Sequence, residues 1–211
     1  MSETSLKSKR ILVTQAGDFM GPVLCEVLAE QGATVIPNYD DISDPETPAR
    51  IVAEAGGIDV LLANLAVPAP SSRVGEVSAG EWRDTFATMV DPLPRLLQAV
   101  LPGMREQGYG RVLVMGSASA LRGMKRASTY SAARGAQLSW VQAVGVELAP
   151  ENIQVNLIAQ NFVDNPTYFP EDIKSNPRFQ ERLKREVPLG RLVGAREDAQ
   201  FAAYLCSDAA S

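Results

Sequence analysis

The 211-residue chain has no histidine. That absence excludes Ser/His/Asp and Cys/His catalysis and the histidine-bearing metal motifs, so a side-chain proton transfer must use Tyr, Lys, Asp, Glu or Cys. Cysteine is nearly as scarce. Cys25 and Cys206 lie far apart in apolar helical stretches with no partner pattern, which suits free buried thiols of a reducing compartment rather than a disulfide. Long apolar runs are missing too: nowhere do ~20 apolar residues follow one another, and residues 1–10 are polar and basic with no apolar signal segment. A soluble, cytoplasmic protein with no membrane partner is the expectation. Nor is there an excess of positive charge, because 20 Lys and Arg face 25 Asp and Glu, leaving net −5 and no footprint for nucleic acid.

What is present is ordinary globular composition and a regular alternation. With 45% hydrophobic and 21% charged residues, the length suits one domain over 1–211. Short apolar, largely β-branched runs at 11–14, 34–36, 59–63, 111–115 and 153–158 mostly lack polar alternation, as strands buried on both faces do. Between them, helical periods cover 21–30, 44–55, 78–104 and 128–149, with further helices around 178–186 and 197–205. Ser78 and Glu81 have capping-box spacing, and Asp91-Pro92 predicts a bend. The alternation predicts a Rossmann-like, doubly wound parallel α/β sheet with helices on both faces, whose ligands gather beyond the carboxyl ends of the strands.

Tyr130 and Arg134 stand four apart on one predicted helix, so their side chains share a face, and Ser117 follows the fourth strand where it can meet them. A guanidinium beside a phenol favours phenolate, which makes Ser117, Tyr130 and Arg134 a possible acid/base unit acting on a hydroxyl. Spacing alone equally describes an exposed Tyr/Arg pair with a serine in a turn.

The order and spacing of Thr14 to Gly21, Asn64-Leu65-Ala66, Gly116-Ser117 and Tyr130-Ser131-Ala132-Ala133-Arg134 resemble the short-chain dehydrogenase/reductase superfamily over nearly the whole chain. In that superfamily a serine, a tyrosine and a lysine move the proton while a nicotinamide takes the hydride. Here the phosphate loop reads Thr14-Gln15-Ala16-Gly17-Asp18-Phe19-Met20-Gly21, with Gln15 and Phe19 where glycines are usual and an added anion at Asp18. The family's Pro-Gly after the fifth strand is Gln160-Asn161, its relay asparagine has no counterpart near Met89-Val90, and its lysine is Arg134.

These departures resemble the halohydrin dehalogenases, which share the fold and use no cofactor. The resemblance implies catalytic roles for Ser117, Tyr130 and Arg134, a loop-filling ring at Phe19, and a halide-cradling turn at Gln160, Asn161, Phe162 and Val163. Tyr168 and Phe169 would line the pocket or act as lid residues packed on the core. Vicinal haloalcohols or epoxides would be the substrates and halide the released ion, with no cofactor or metal. The reverse reaction would accept small anions such as cyanide, azide or nitrite. A homotetramer built through 78–104 and 128–149 is also implied, with Trp82 and Trp140 as interface or core residues.

Two other readings stay open. One is an NAD(P)-dependent reductase with a degenerate loop, for which Asp40 or Asp41, ~20 residues past Gly21, would be the ribose acid unless residues 41–44 cap the next helix. The other is a catalytically inactive scaffold. Against the superfamily, one β-α unit between 36 and 59 is shortened away, and the chain ends at residues 207–211 where a last strand usually follows. That ending reads as a truncated or unplaced tail with an exposed sheet edge.

Overall fold

The computed structural model describes residues 5–210, so Met1 to Thr4 and Ser211 of the expected polar leader and tail lie outside the described residues. Five parallel strands, β1 (Arg10–Val13), β2 (Thr34–Pro37), β3 (Val60–Ala63), β4 (Gly110–Met115) and β5 (Ile153–Ile158), form one sheet in the order β2-β1-β3-β4-β5. β3 and β4 are wholly buried. The outer strands β2 and β5 carry partly exposed positions, so the polar residues Gln154 and Asn156 reflect an edge, not a strand covered on both faces. No strand lies beyond β2 or β5 among the described residues.

Period-two alternation sends successive side chains to opposite faces, which fills two cores. Val13, Leu62, Leu113 and Met115 pack beneath helices α1 (Gly21–Glu30) and, late in the chain, α8 (Ala195–Cys206). Leu12, Leu61, Val112 and Val114 pack on the other face under α2 (Thr47–Ala55), α4 (Pro92–Gln107) and α5 (Ser128–Leu148).

Three helical expectations change. The segment 78–104 is two helices, α3 (Ala79–Met89) and α4, because Pro92 has no N–H to continue the ladder. Ser78 caps α3 by accepting from Glu81 N–H at 2.9 Å, but the Glu81 carboxylate closes no box; it takes hydrogen bonds from Ser72 and, at 2.7 Å, from Thr129 of α5. α2 starts at Thr47 rather than 44, since Asp44 spends its carboxylate on Glu46 N–H in the preceding turn. Two short helices, α6 (Glu171–Lys174) and α7 (Pro177–Glu186), follow β5. No helix among the described residues is long and apolar enough to cross a membrane.

The chain leaves β1 toward β2 and then crosses to β3 on its other side. The carboxyl ends of β1 and β3 therefore diverge into a crevice, where such folds hold ligands.

Candidate active site

The loop after β1 enters that crevice. Gln15 and Phe19 have φ of +45° and +51°, the left-handed region that glycine adopts freely and side-chain-bearing residues adopt at a cost of about 1–2 kcal/mol. Gln15 is held there by a reciprocal pair: its Nε2 donates to Ala66 O at 3.1 Å and its Oε1 accepts from Ala66 N–H at 2.8 Å. Asn64 Nδ2 donates to the carbonyls of Gln15 and Asp18, and Asp18 O accepts from Gly21 N–H at 2.8 Å. The Phe19 ring lies 5.5 Å from the Tyr168 ring, in the cavity wall.

A pyrophosphate needs free amides at the start of α1 and room beside them. Here the Gly21 amide is spent inside the loop while those of Gly17, Phe19 and Met20 donate to nothing among the described residues, the Phe19 ring stands in the cavity wall, and Asp18 brings a carboxylate to the same loop. The ring and the carboxylate, not a shortage of amides, disfavour a dinucleotide here. The candidate ribose acids are engaged locally: Asp40 pairs with Arg50 at 3.2 Å, and Asp41 accepts from Ser43 N–H and Oγ, which holds its carboxyl below the usual range.

Ser117 follows Gly116, where a Cβ would press to 2.6 Å of Leu157. Its Oγ accepts from Ser119 N–H at 3.2 Å, and the next amide, Ala118 N–H, donates to Gln160 O at 2.8 Å, tying this turn to the one after β5. Tyr130 and Arg134 project from α5 and are buried, 6% and 3% exposed, so the exposed-pair reading fails. The Arg134 guanidinium carbon lies 5.0 Å from the Tyr130 ring centroid. Its Nη1 donates to Met115 O, Gln137 Oε1 and Leu65 O at 2.7, 2.9 and 3.1 Å, while its buried Nε has no partner. Gln137 in turn donates to Met89 O at 2.7 Å.

Tyr168 Oη donates to Val67 O at 2.7 Å, so in its 3.4 Å contact with Tyr130 Oη it is the acceptor. Burial beside a second phenol pushes the Tyr168 hydroxyl far above its ordinary pKa and keeps it protonated.

After β5 the chain turns through residues 160–163. Gln160 spends its own N–H on Ile158 O, and its side-chain amide donates to the buried Asp198 of α8. Asn161 Oδ1 accepts from Arg122 Nη2 at 3.0 Å. Phe162 sits at φ +54°, its ring 6.0 Å from Phe169. Among the described residues the backbone N–H groups of Asn161, Phe162 and Val163 donate to nothing in the chain. Asn165 braces the turn and the next loop, donating to Val163 O and accepting from the amides of Thr167 and Tyr168.

One cavity of about 250 Å³ gathers all of this: Ser117, Tyr130, Arg134, Phe19, Gln160, Asn161, Phe162, Val163, Tyr168 and Phe169 line it together. Arg122, Met124 and Arg182 line it too, and sequence reasoning did not single them out; the only available signal was the run of cations at 122–126. No aspartate or glutamate belongs to its lining.

A family model described as enoyl-(acyl carrier protein) reductase matches residues 9–211. The chain belongs to the short-chain dehydrogenase/reductase superfamily. It is 28% identical to the 3-oxoacyl-[acyl-carrier-protein] reductase of Salmonella typhimurium, covering 98% of this chain and 93% of that protein. It is also 28% identical to human dehydrogenase/reductase SDR family member 4, over 98% and 84%. A solved structure described as a dehalogenation enzyme is 32% identical and superposes with a TM-score of 0.90 over 97% of this chain and 93% of that one. The L-sorbose reductase of Gluconobacter frateurii, 21% identical with a TM-score of 0.90 over 99% and 93%, shares the superfamily fold.

Proposed function

We propose that this protein converts vicinal haloalcohols to epoxides, releasing halide and a proton without a cofactor. The observation that carries the reading is one cavity holding a buried phenol beside a guanidinium and, after β5, a turn with three unspent amides, behind a loop filled by Phe19. Kinship with a protein described as a dehalogenation enzyme supports it.

In this mechanism Ser117 donates a hydrogen bond to the substrate hydroxyl and Tyr130 removes its proton as general base. The electron pair left on oxygen forms the bond to the neighbouring carbon, and the carbon–halogen pair departs with the halide. Holding oxygen, carbon and halogen in line supplies the orientational part of the barrier. The amides of 161–163 stabilise the halide as its charge develops. Tyr168, kept protonated by burial, turns its proton from Val67 O to the Tyr130 oxygen when that oxygen carries charge. Run backwards, the same turn delivers cyanide, azide or nitrite to an epoxide. A homotetramer through α3, α4 and α5 belongs to the same reading, with Trp82, 44% exposed and stacked on Phe86, as its interface residue, whereas Trp140 packs against the core.

The test is halide release from a small chlorinated or brominated alcohol without nicotinamide. Release by the wild type and its loss in Tyr130→Phe support the reading; no release, or equal release by the variant, refutes it. The reductase names of two relatives favour a second reading, NAD(P)H-dependent carbonyl reduction, which saturable NADPH binding with carbonyl turnover would establish instead.

A further inference from the structure

The segment Leu121-Arg122-Gly123-Met124-Lys125-Arg126 is exposed at the cavity mouth, and Arg122 and Met124 belong to the lining. Its three cations form no ion pair among the described residues; the side-chain hydrogen bond that Arg122 makes goes to a neutral amide, Asn161. Elsewhere most surface arginines are paired, as Arg105 is with Glu151, Arg191 with Glu197 and Arg196 with Glu26 and Glu30. An uncompensated cluster at one mouth of a chain with net charge −5 sets up a local positive field, and concave sites focus such fields on the ions entering them.

The contact with Asn161 fixes where that field acts. Asn161 begins the run of unspent amides, so the guanidinium stands between solvent and the turn, with four further N–H groups left after the Asn161 bond. Arg182 also lines the cavity, but its Nε is held 3.1 Å from both oxygens of Glu186, a carboxylate it shares with Arg185, so its charge is partly compensated. Arg122 is therefore the mouth cation whose charge is available.

We propose that Arg122, reinforced by Lys125 and Arg126, is an outer anion station that draws a small monovalent anion to the turn at 161–163 and receives it on departure. The proposal rests on reading that turn as the halide site. It makes Arg122 a determinant of anion affinity without a part in the proton transfer at Tyr130.

The experiment is calorimetric titration of the full chain with sodium bromide, using wild type, Arg122→Gln, Arg122→Lys and the double variant Lys125→Gln/Arg126→Gln. Titrations run at low ionic strength and at high ionic strength set with sodium gluconate, after thermal midpoints show each variant folded. Unit charges several ångströms apart in a wet surface interact by about 1 kcal/mol, so Arg122→Gln should weaken bromide about fivefold at low salt. Arg122→Lys should stay within about twofold of wild type, the double variant should weaken in the same direction but less, and the differences should close at high salt as the screening length falls to ~3 Å. Unchanged affinity in Arg122→Gln at low salt overturns the proposal. So does equal loss in Arg122→Lys and Arg122→Gln that survives high salt, which would assign the effect to the Asn161 hydrogen bond. Bromide binding without haloalcohol turnover would sink the dehalogenase reading and leave the station standing; turnover with Arg122→Gln binding bromide as wild type does would sink the station alone.

Discussion

Arg134→Met separates what the arginine does for the fold from what it does for the chemistry. Methionine keeps much of the length and apolar stem but removes the cation and every donor. The Nη1 nitrogen carries two hydrogens shared among Met115 O, Gln137 Oε1 and Leu65 O, so two charge-assisted bonds are lost rather than three. Such bonds are worth about 1.5–3 kcal/mol each net of desolvation, which sets the loss at about 3–6 kcal/mol. Leu65 O keeps a donor in Gln137 Nε2 at 3.3 Å, but Gln137 Oε1 is left with none among the described residues.

A loss of that size is a large share of the ~5–15 kcal/mol that holds a domain together. At roughly 2–4 °C per kcal/mol for a chain of this length, the thermal midpoint should fall by about 6–24 °C. Arg134→Lys, which returns a cation to the same space, should recover part of it. The assay is calorimetric melting of wild type and both variants, with Gln137→Leu and the double variant Arg134→Met/Gln137→Leu completing a cycle. A midpoint unchanged or raised in Arg134→Met would refute the reasoning, because it would mean that burying a cation with no carboxylate partner and an orphaned Nε costs as much as its hydrogen bonds return.

Three further outcomes are expected. Burial raises the Asp198 carboxyl pKa against the opposing pull of the Gln160 hydrogen bond, so the folded protein holds this proton to higher pH than the unfolded chain; stability from this group is full below the ordinary aspartate range and lost as pH rises through the raised value. Asp198→Asn should therefore gain on wild type in urea midpoint as pH rises through that window, and parallel profiles would contradict it. The fully buried Cys206 thiol is pushed up to about 12, so iodoacetamide followed by mass spectrometry should modify it only when denaturant unfolds the chain, whereas half-buried Cys25 should react slowly in the native protein. Gly21→Ala places a methyl against the Gln15 carbonyl and the Ala16 backbone, which cannot rotate away; a melting midpoint within a degree or two of wild type would show that the loop has room the structure denies it.

Much of the fold was legible because each cue is local. Apolar runs such as Val60-Leu61-Leu62-Ala63 have strand length and no polar partner, and their alternation with helical periods is enough to predict a parallel sheet. Some errors were local, as where Asp44 turns to Glu46 and delays α2, but others fell where a distant partner decides. Glu81 has the spacing of a capping box, yet Ser72 and Thr129 take its carboxylate, and Thr129 is 48 residues away. The site shows the same limit. Phe19, Ser117, Tyr130 and Asn161 come from four separated segments that no periodicity connects; strand and helix placement bring Ser117 to Tyr130, whereas Phe19 and Asn161 join them only through family resemblance. Arg122 was missed because a loop cation carries no pattern until Asn161 is found beside it.

The phosphate loop shows what substitution can hide. Two glycines of the family pattern are gone from the sequence, which reads as a loop remade. Yet Gln15 and Phe19 both have positive φ, so side-chain-bearing residues stand here in the conformation that glycine adopts freely. At Gln15 the strain is offset by the two bonds to Ala66, which tie the loop after β1 to the segment after β3. At Phe19 no hydrogen bond compensates, and the return is the ring's contact with Tyr168, the phenol that faces Tyr130. A strained residue held against the ring whose hydroxyl contacts Tyr130 places the altered loop in the wall around the proposed base, so under the dehalogenase reading Phe19 serves the site as well as the loop.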